Sequence, residues 1–525
     1  MFYSMKKRFL AVVLAALICL TGLSGIAFAD ITYPIDTDVT LTLWRVLDGS
    51  IVDAGFKSSQ DTPGFQKWEE DTGINVELKE FADNTSLVLA IQADSLPDMI
   101  MLDCTAYNGG IMGMANDGLI IELTEDMLAE NAPDYWAYVS EFDTYMKQIR
   151  QLDGKMYGFA GHVFPQDSIY RFWKGFIYRQ DILDANGLSV PTNNAEFKQL
   201  LIDLRDNVEG IVTPWTFNKD EFQYVLTTGY ITSEYGLVNT AEYQVDGVFH
   251  YGAYEPEYKD VLAYVKELYD EGLISENFAT MDEATAQSML LSGESAVLFG
   301  NNSRLNTLAQ SLPEGGVLTG GPVLHRADQE RAMYSYADNY VTNGDWTYIS
   351  ADSQNPELSL QFLNYLFTDA GNMVRNFGIE GVSYEMVDGE AVYTELITDN
   401  PDGYSLDAVA RSYALINWPG IHADEMNRQR HPSESQIVAY EIWSDTDFDT
   451  YNPIYTAVMD EYLDEYTDLW TDIDTYIKEC RVKFISGQMS LDDEFDTYIT
   501  HLQDMGMDRV IEIKQATLDA YNAVN

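Results

Sequence analysis

Six positions pair a side chain suited to molecular recognition with the end of a predicted element. Trp44 and Arg45 close an alternating apolar–polar segment, residues 39–44, and Asp103 directly follows the apolar run 98–102. Trp215 follows Thr213-Pro214, and Asn301, with Asn302 behind it, follows Phe299-Gly300. Trp418 sits in the loop-like stretch Asn417-Trp418-Pro419-Gly420. An indole offers a flat apolar face for stacking, and Asp, Asn and Arg supply hydrogen bonds whose loss in a dry site is costly. That is the chemistry of holding a solute rather than of breaking it. Each position also has a plain structural reading. Trp is heavily buried on average, and Asp103 and Asn301 suit helix caps. Trp136, Trp443 and Trp470 fall in helical patterns and read as core.

Bond-making chemistry leaves no comparable pattern. The six histidines (His162, His250, His325, His422, His431 and His501) form no HExxH, and neither a GxSxG elbow nor a GxxxxGK[ST] loop occurs. Paired carboxylates can hydrolyse glycosides, but with 85 acidic residues chance pairs carry no information. Beyond residue 29, Cys104 and Cys480 lie far apart without CxxC or Cys/His spacing, which argues against zinc. A disulfide and two free buried thiols both remain open.

The elements that must position these residues read as alternating strands and helices. Residues 39–44 form a half-buried strand, 64–70 a helix ending at Thr72-Gly73, and 74–78 a second strand. A helix over 86–93 then leads through Pro97 into the strand 98–102. This order predicts a mostly parallel sheet covered on both faces. The densest grammar lies in FIYRQDILDANGLSVPTNNAEFKQL, residues 176–200. A strand (176–178) runs into a short helix that Gly187 ends, Pro191 fixes an extended turn, and Asn193 caps the next helix with Glu196 three residues on.

The N-terminus carries Lys6-Lys7-Arg8, an apolar core over 9–20 and Ala27-Phe28-Ala29, so a signal peptide is expected with cleavage before Asp30. Met5 is an alternative start. No later run reaches the roughly 18 consecutive apolar residues of a membrane span. The formal charge of −55 becomes −58 once the three basic residues of 1–29 are removed. Such a chain is repelled by nucleic acid and by anionic membranes. A receptor for polyanions would need a local basic patch in its cleft. No repeat or wall-anchoring tail points to a structural surface protein.

The ordered segment 176–200 resembles the passage into the second lobe in family 1 extracellular solute-binding proteins of carbohydrate ABC transporters. Arg179, Asp181, Leu183, Gly187, Leu188, Pro191, Glu196 and Phe197 match that pattern, with Asn193 in place of the capping Thr. Leu96-Pro97-Asp98-Met99-Ile100, Asp117-Gly118-Leu119, Asp153-Gly154-Lys155, Ser292-Gly293-Glu294, Gly378-Ile379-Glu380-Gly381 and Met505-Gly506-Met507 are similar to later landmarks, so the resemblance spans nearly the whole chain.

The resemblance implies an α/β, type II periplasmic-binding-protein-like fold with two lobes, a hinge and a ligand cleft between them. It implies lobe 1 over 30–160 and 336–400, and lobe 2 over 161–335 and a mostly helical 401–525. Trp173 and Trp346 then flank the passages between lobes. Open α/β sheets bind ligands at the carboxyl ends of their strands, which makes Trp44, Arg45, Asp103, Trp215, Asn301 and Trp418 the candidate ligand contacts. The implied function is capture of an oligosaccharide or related sugar and its delivery to membrane permease subunits by an exported, monomeric protein with no cofactor. A secreted glycoside hydrolase or lyase is the alternative. The family's acidic calcium loop is shortened here to residues 206–213, which argues against calcium. Cys19 follows Ala16-Leu17-Ile18, where bulky Ile18 departs from a lipidation signal.

Overall fold

A computed structural model describes residues 30–524 apart from 94, 335–336, 342–343 and 453–457. The expected signal peptide, Met5 and Cys19 lie outside the described residues. Among those described, no helix is long and apolar enough to cross a membrane.

The first lobe is built on β1 (Thr40–Val46), β2 (Asn75–Phe81), β3 (Met99–Asp103) and β4 (Gly158–Ala160), joined by the late strand β10 (Asp345–Ile349). Their order across the sheet is β2-β1-β3-β10-β4. β1 runs parallel to β2 and β3, as the alternating pattern predicts, while β10 is antiparallel to β3 and β4. β3 is buried along four of its five residues because helices cover both faces. Leu41, Leu43, Phe65, Trp68, Leu87, Ile100, Phe159, Tyr348 and Phe362 form part of this core.

The second lobe centres on β5 (Lys174–Arg179), flanked by β8 (Val297–Asn301) and β9 (Leu318–Gly321), both antiparallel to it. Its sheet therefore departs from the parallel expectation. The strand–helix grammar fixes the elements but not the direction in which a distant strand returns. Local chemistry agrees closely. Gly187 has φ +66°, and the Asn193 side chain accepts the Glu196 N–H at 2.9 Å. Glu196 reaches back to the Thr192 N–H at 2.9 Å, one residue earlier than an ideal capping box.

Three chain passages join the lobes side by side. Val163 pairs with Val341 antiparallel and with Ile421 parallel. Val163 N–H donates to Gly420 O at 3.0 Å, His422 N–H to Val163 O at 2.9 Å, and Phe164 N–H to Tyr340 O at 2.8 Å. The third passage thus lies at Ile421, whereas the sequence reading sets it at 400/401. Residues 401–420 stay with the first lobe because the helix Leu406–Tyr413 packs on the helices Gly49–Asp53 and Pro63–Thr72. Beyond it, the helix Glu434–Trp443 crosses β9, and the helices Asp460–Ile485, Leu491–Asp504 and Met507–Val524 pack against the second-lobe helix Tyr258–Asp270 or against one another. A second link between lobes is the Asn116 side chain donating to Asp460. Cys104 and Cys480 are free and buried, one in each lobe's core.

Two glycines let the helix Glu434–Trp443 lie flat on the second-lobe sheet. A methyl at Gly175 would sit 2.1 Å from Trp443 Nε1, and one at Gly320 would sit 2.8 Å from the Ala439 backbone. Gly175→Ala is expected to destabilise the protein by about 1–3 kcal/mol through overpacking. Denaturant unfolding checks this, and unchanged stability would mean that the helix does not rest on β5.

Candidate functional site

The first-lobe wall forms where β1 and β3 end and β10 begins. Successive side chains of a strand point to opposite faces, so Trp44 and Arg45 diverge. Trp44 packs under the Lys79 ammonium, 4.1 Å from its ring centroid, and beside Phe81. Arg45 is only 3 % exposed, and its guanidinium carbon lies 4.3 Å from the Trp418 ring centroid. Its Nε donates to Val46 O at 3.0 Å, and it makes no ion pair with a described residue. Burial lowers its pKa, opposed by Glu80, Asp48 and Asp345. Trp418 itself is clamped from behind by Phe65 and Trp68, each with ring centroids 5.3 Å away.

Carboxylates surround this stacked pair. Asp103 lies opposite Asp345 across β3 and β10, and it accepts the Thr105 N–H at 2.8 Å. Burial raises the pKa of Asp345; Arg45 opposes the shift, and Asp103 and Asp48 add to it. Asp48 caps the helix Gly49–Asp53 through the Ser50 N–H at 2.8 Å and also accepts from Asn417, in the Trp418 loop. The wall thus carries several acceptors around one cation with free N–H groups.

The second-lobe wall forms at the start of β5 and the end of β8. Asn301 caps the helix Asn302–Ser311 by accepting the Arg304 N–H at 2.7 Å. Asn302 is buried and interlocks with Gln436, whose Nε2 donates to Asn302 Oδ1 at 2.7 Å. Lys174 lies opposite Asn301, with its ammonium 3.7 Å from the Tyr224 ring centroid. Asp338, three residues before the passage at Val341, takes a hydrogen bond from Trp173, and burial raises its carboxyl to about 6.

These positions answer the sequence reading unevenly. Arg45 and Trp418 come together as one stack, Asp103 joins them at the same sheet end, and Asn301 lies at the corresponding end of the second lobe. Trp44 points away from the Arg45–Trp418 stack. Trp215 is a correction: it has no exposed surface, and its ring packs on Phe176, Phe197 and Phe217 in the second-lobe core. The Thr213-Pro214 turn that precedes it feeds a bridge beside β8 instead of a lip. Lys174, Tyr224, Asp338 and Asp345 stand beside these positions and were not among the sequence candidates. Lys174 adjoins the matched segment, and Trp346, already read as flanking a passage, adjoins Asp345. Among the described residues no group of three His, Cys, Asp or Glu could hold a metal ion.

Two α/β lobes joined by three adjacent passages define the class of hinged, cleft-forming binding proteins of type II periplasmic architecture. The model of the bacterial extracellular solute-binding protein family matches residues 54–373, and the chain belongs to that family. Lipoprotein LipO of Bacillus subtilis strain 168 is 21% identical over 455 residues, covering 82% of this chain and 84% of LipO. The HMO-binding, ABC-transporter-associated solute-binding protein of Bifidobacterium longum infantis ATCC 15697 superposes with a TM-score of 0.72 at 17% identity, over 93% of this chain and 99% of that one. The alginate-binding protein AlgQ2 without calcium ion gives 0.69 at 18% identity, over 94% and 100%. At these identities the two structures establish the fold.

Because Trp418 is 5 % exposed and locked on Phe65 and Trp68, Trp418→Ala is expected to lower stability by about 3–5 kcal/mol. Chemical unfolding checks this, and a loss below about 1 kcal/mol would mean that the ring is wall rather than core. Asp338 gives a pH prediction. Its folded-state carboxyl titrates at about 6, above the ordinary 3.8, so folding takes up a proton between those values. Stability from this group is full below about pH 4 and declines as pH rises to about 6. Asp338→Asn should flatten the thermal-stability profile across that window; an unchanged slope would place the titration elsewhere.

Proposed function

We propose that this protein captures an oligosaccharide or related sugar between its lobes, outside the cytoplasm, and hands it to membrane permease subunits. The observation that carries this reading is the passage ladder at Val163, Val341 and Ile421, which lets two rigid lobes turn about one line. Near that line each lobe presents an aromatic–cation pair, Arg45 on Trp418 and Lys174 on Tyr224. Asp103, Asp345 and Asn301 supply acceptors beside them. Tyr224, the exposed ring of the two, can stack on the C–H face of a sugar ring, and the polar groups take its hydroxyls in a site that closure dries. Membership of an extracellular solute-binding family supports export, and two neighbours in fold are named for binding HMO and alginate.

In this reading the protein works as a monomer that releases its ligand unchanged. The moving units are residues 30–162 with 342–420, and 164–340 with 422–524. The hydrolase or lyase alternative gains no support from Asp103 and Asp345, which pair in register within one lobe's sheet.

Small-angle scattering of the mature protein, with and without a glycan found by calorimetric screening, should show a smaller radius of gyration in the complex. Chromatography of the recovered glycan should show it intact. Sustained cleavage of a glycosidic bond would overturn the proposal.

A further inference from the structure

The second-lobe wall holds an amine to which the described residues give no counter-ion. Lys174 opens β5 opposite Asn301, eleven residues beyond the passage at Val163, so it belongs to the end of the second-lobe sheet nearest the hinge. Its Nζ lies 3.7 Å from the Tyr224 centroid and 5.7 Å from those of Trp173 and Phe299. Acidic residues outnumber basic ones 85 to 30 in this chain. Nearby Arg304 takes two carboxylates, Glu221 and Glu283. Lys174 makes no ion pair with any described residue. The groups that face it are Tyr224 and Asp220 from the helix Lys219–Thr228, Glu283 from the helix Glu283–Ser292, Arg304 from the helix Asn302–Ser311, and Asn301 of β8. Burial and then Arg304 depress its amine to about 8, while Glu283 and Asp220 oppose the shift without contact.

Resting on the sugar-binding reading above, we propose that Lys174 selects the ligand's charge: it receives the carboxylate of an acidic sugar unit, such as a uronic acid, within an otherwise hydroxyl-bearing oligosaccharide. The opposite wall makes this a placed preference. Glu80, Asp48 and Asp345 act on Arg45, and Asp103 lies opposite Asp345, so the first lobe accepts hydroxyl hydrogens and repels an anion. The second lobe offers the cation. A half-desolvated ammonium beside an arginine is unfavourable alone and strongly favourable once a carboxylate arrives, because charge-assisted hydrogen bonds gain strength where water is excluded. Tyr224, exposed beside the amine, suits the C–H face of the same sugar unit.

The test uses the mature full-length protein and isothermal calorimetry with two probe sets: xylo-oligosaccharides bearing a single glucuronic acid unit and length-matched neutral xylo-oligosaccharides. The expected result is tighter binding of the acidic set, weakened at least about tenfold in Lys174→Gln, as for loss of a hydrogen bond to a charged group. Lys174→Arg should keep most of that affinity, and thermal melting should show both variants folded. Affinity for the acidic set should also fall between pH 7 and 9.5 as the amine loses its proton, while any neutral binding stays level. Tight binding of neutral oligosaccharides alone overturns the inference and leaves the sugar-binding reading standing. Equal affinity of Lys174→Gln and the unaltered protein for the acidic set overturns it as well. No heat with either set removes the sugar-binding reading and this inference together.

Discussion

The relation between the lobes depends first on one short ladder. At Val163 the chain leaves the first lobe, at Val341 it returns, and at Ile421 it leaves again. The three segments are hydrogen-bonded to one another through backbone groups. Backbone pairing resists sliding of one passage past another but permits a common twist of all three, because the ψ and φ changes can be shared among single residues. The packing around it is dense. His162 and His422 lie with ring centroids 5.1 Å apart, both held neutral by burial and by the field of Arg375. Arg375 is fully buried and donates to Ile416 O and Asn376 Oδ1, bracing the strip of chain that leads into the third passage. The two sheet ends that face the cleft inherit their separation from this arrangement.

Charge is distributed with the same economy. Across the outer surface most cations are engaged by carboxylates, as in Lys67 with Asp71 or Arg509 with Glu465, where exposure keeps each pair weak. At the facing sheet ends the pattern changes. Arg45 and Lys174 rest on aromatic rings and make no ion pair with a described residue; Arg45 commits its Nε to Val46 O. A ring restrains a cation without consuming its hydrogen-bonding directions, so the donors are held in place yet remain available. Outer surface and cleft therefore use the same residue types in opposite ways.

Local features were legible in the sequence and long-range ones were not. Gly187, Asn193 and Asn301 act as a left-handed helix exit and two caps, because capping depends on neighbours within four residues. Asp98, read as the first residue of a buried strand, ties the start of β3 to Thr42 of β1 by three hydrogen bonds. Trp215 defeated the reading because a Trp after a proline turn looks the same whether it lines a lip or fills a core. Arg45 with Trp418, and Lys174 with Tyr224, join residues remote in sequence, and nothing in either neighbourhood announces the other. The third passage was misplaced for a related reason. Pro401-Asp402-Gly403 has the grammar of a linker, yet the helix after it is held to the first lobe by its buried residues Ala408, Val409 and Ala410.

The interleaving of the chain has a consequence for the order in which it can fold. β10 lies between β3 and β4, so β4 has no strand to pair with until residue 349 has been made. The second-lobe core draws on residues from 172 to 334 and again from 439 to 518. Neither half can close on a contiguous piece of N-terminal chain, and contacts of such high sequence separation form slowly. A polypeptide emerging from the ribosome thus stays loose until nearly all of it exists. That is the state in which a chain destined to be threaded through a membrane must be kept, and here the strand order itself enforces the delay.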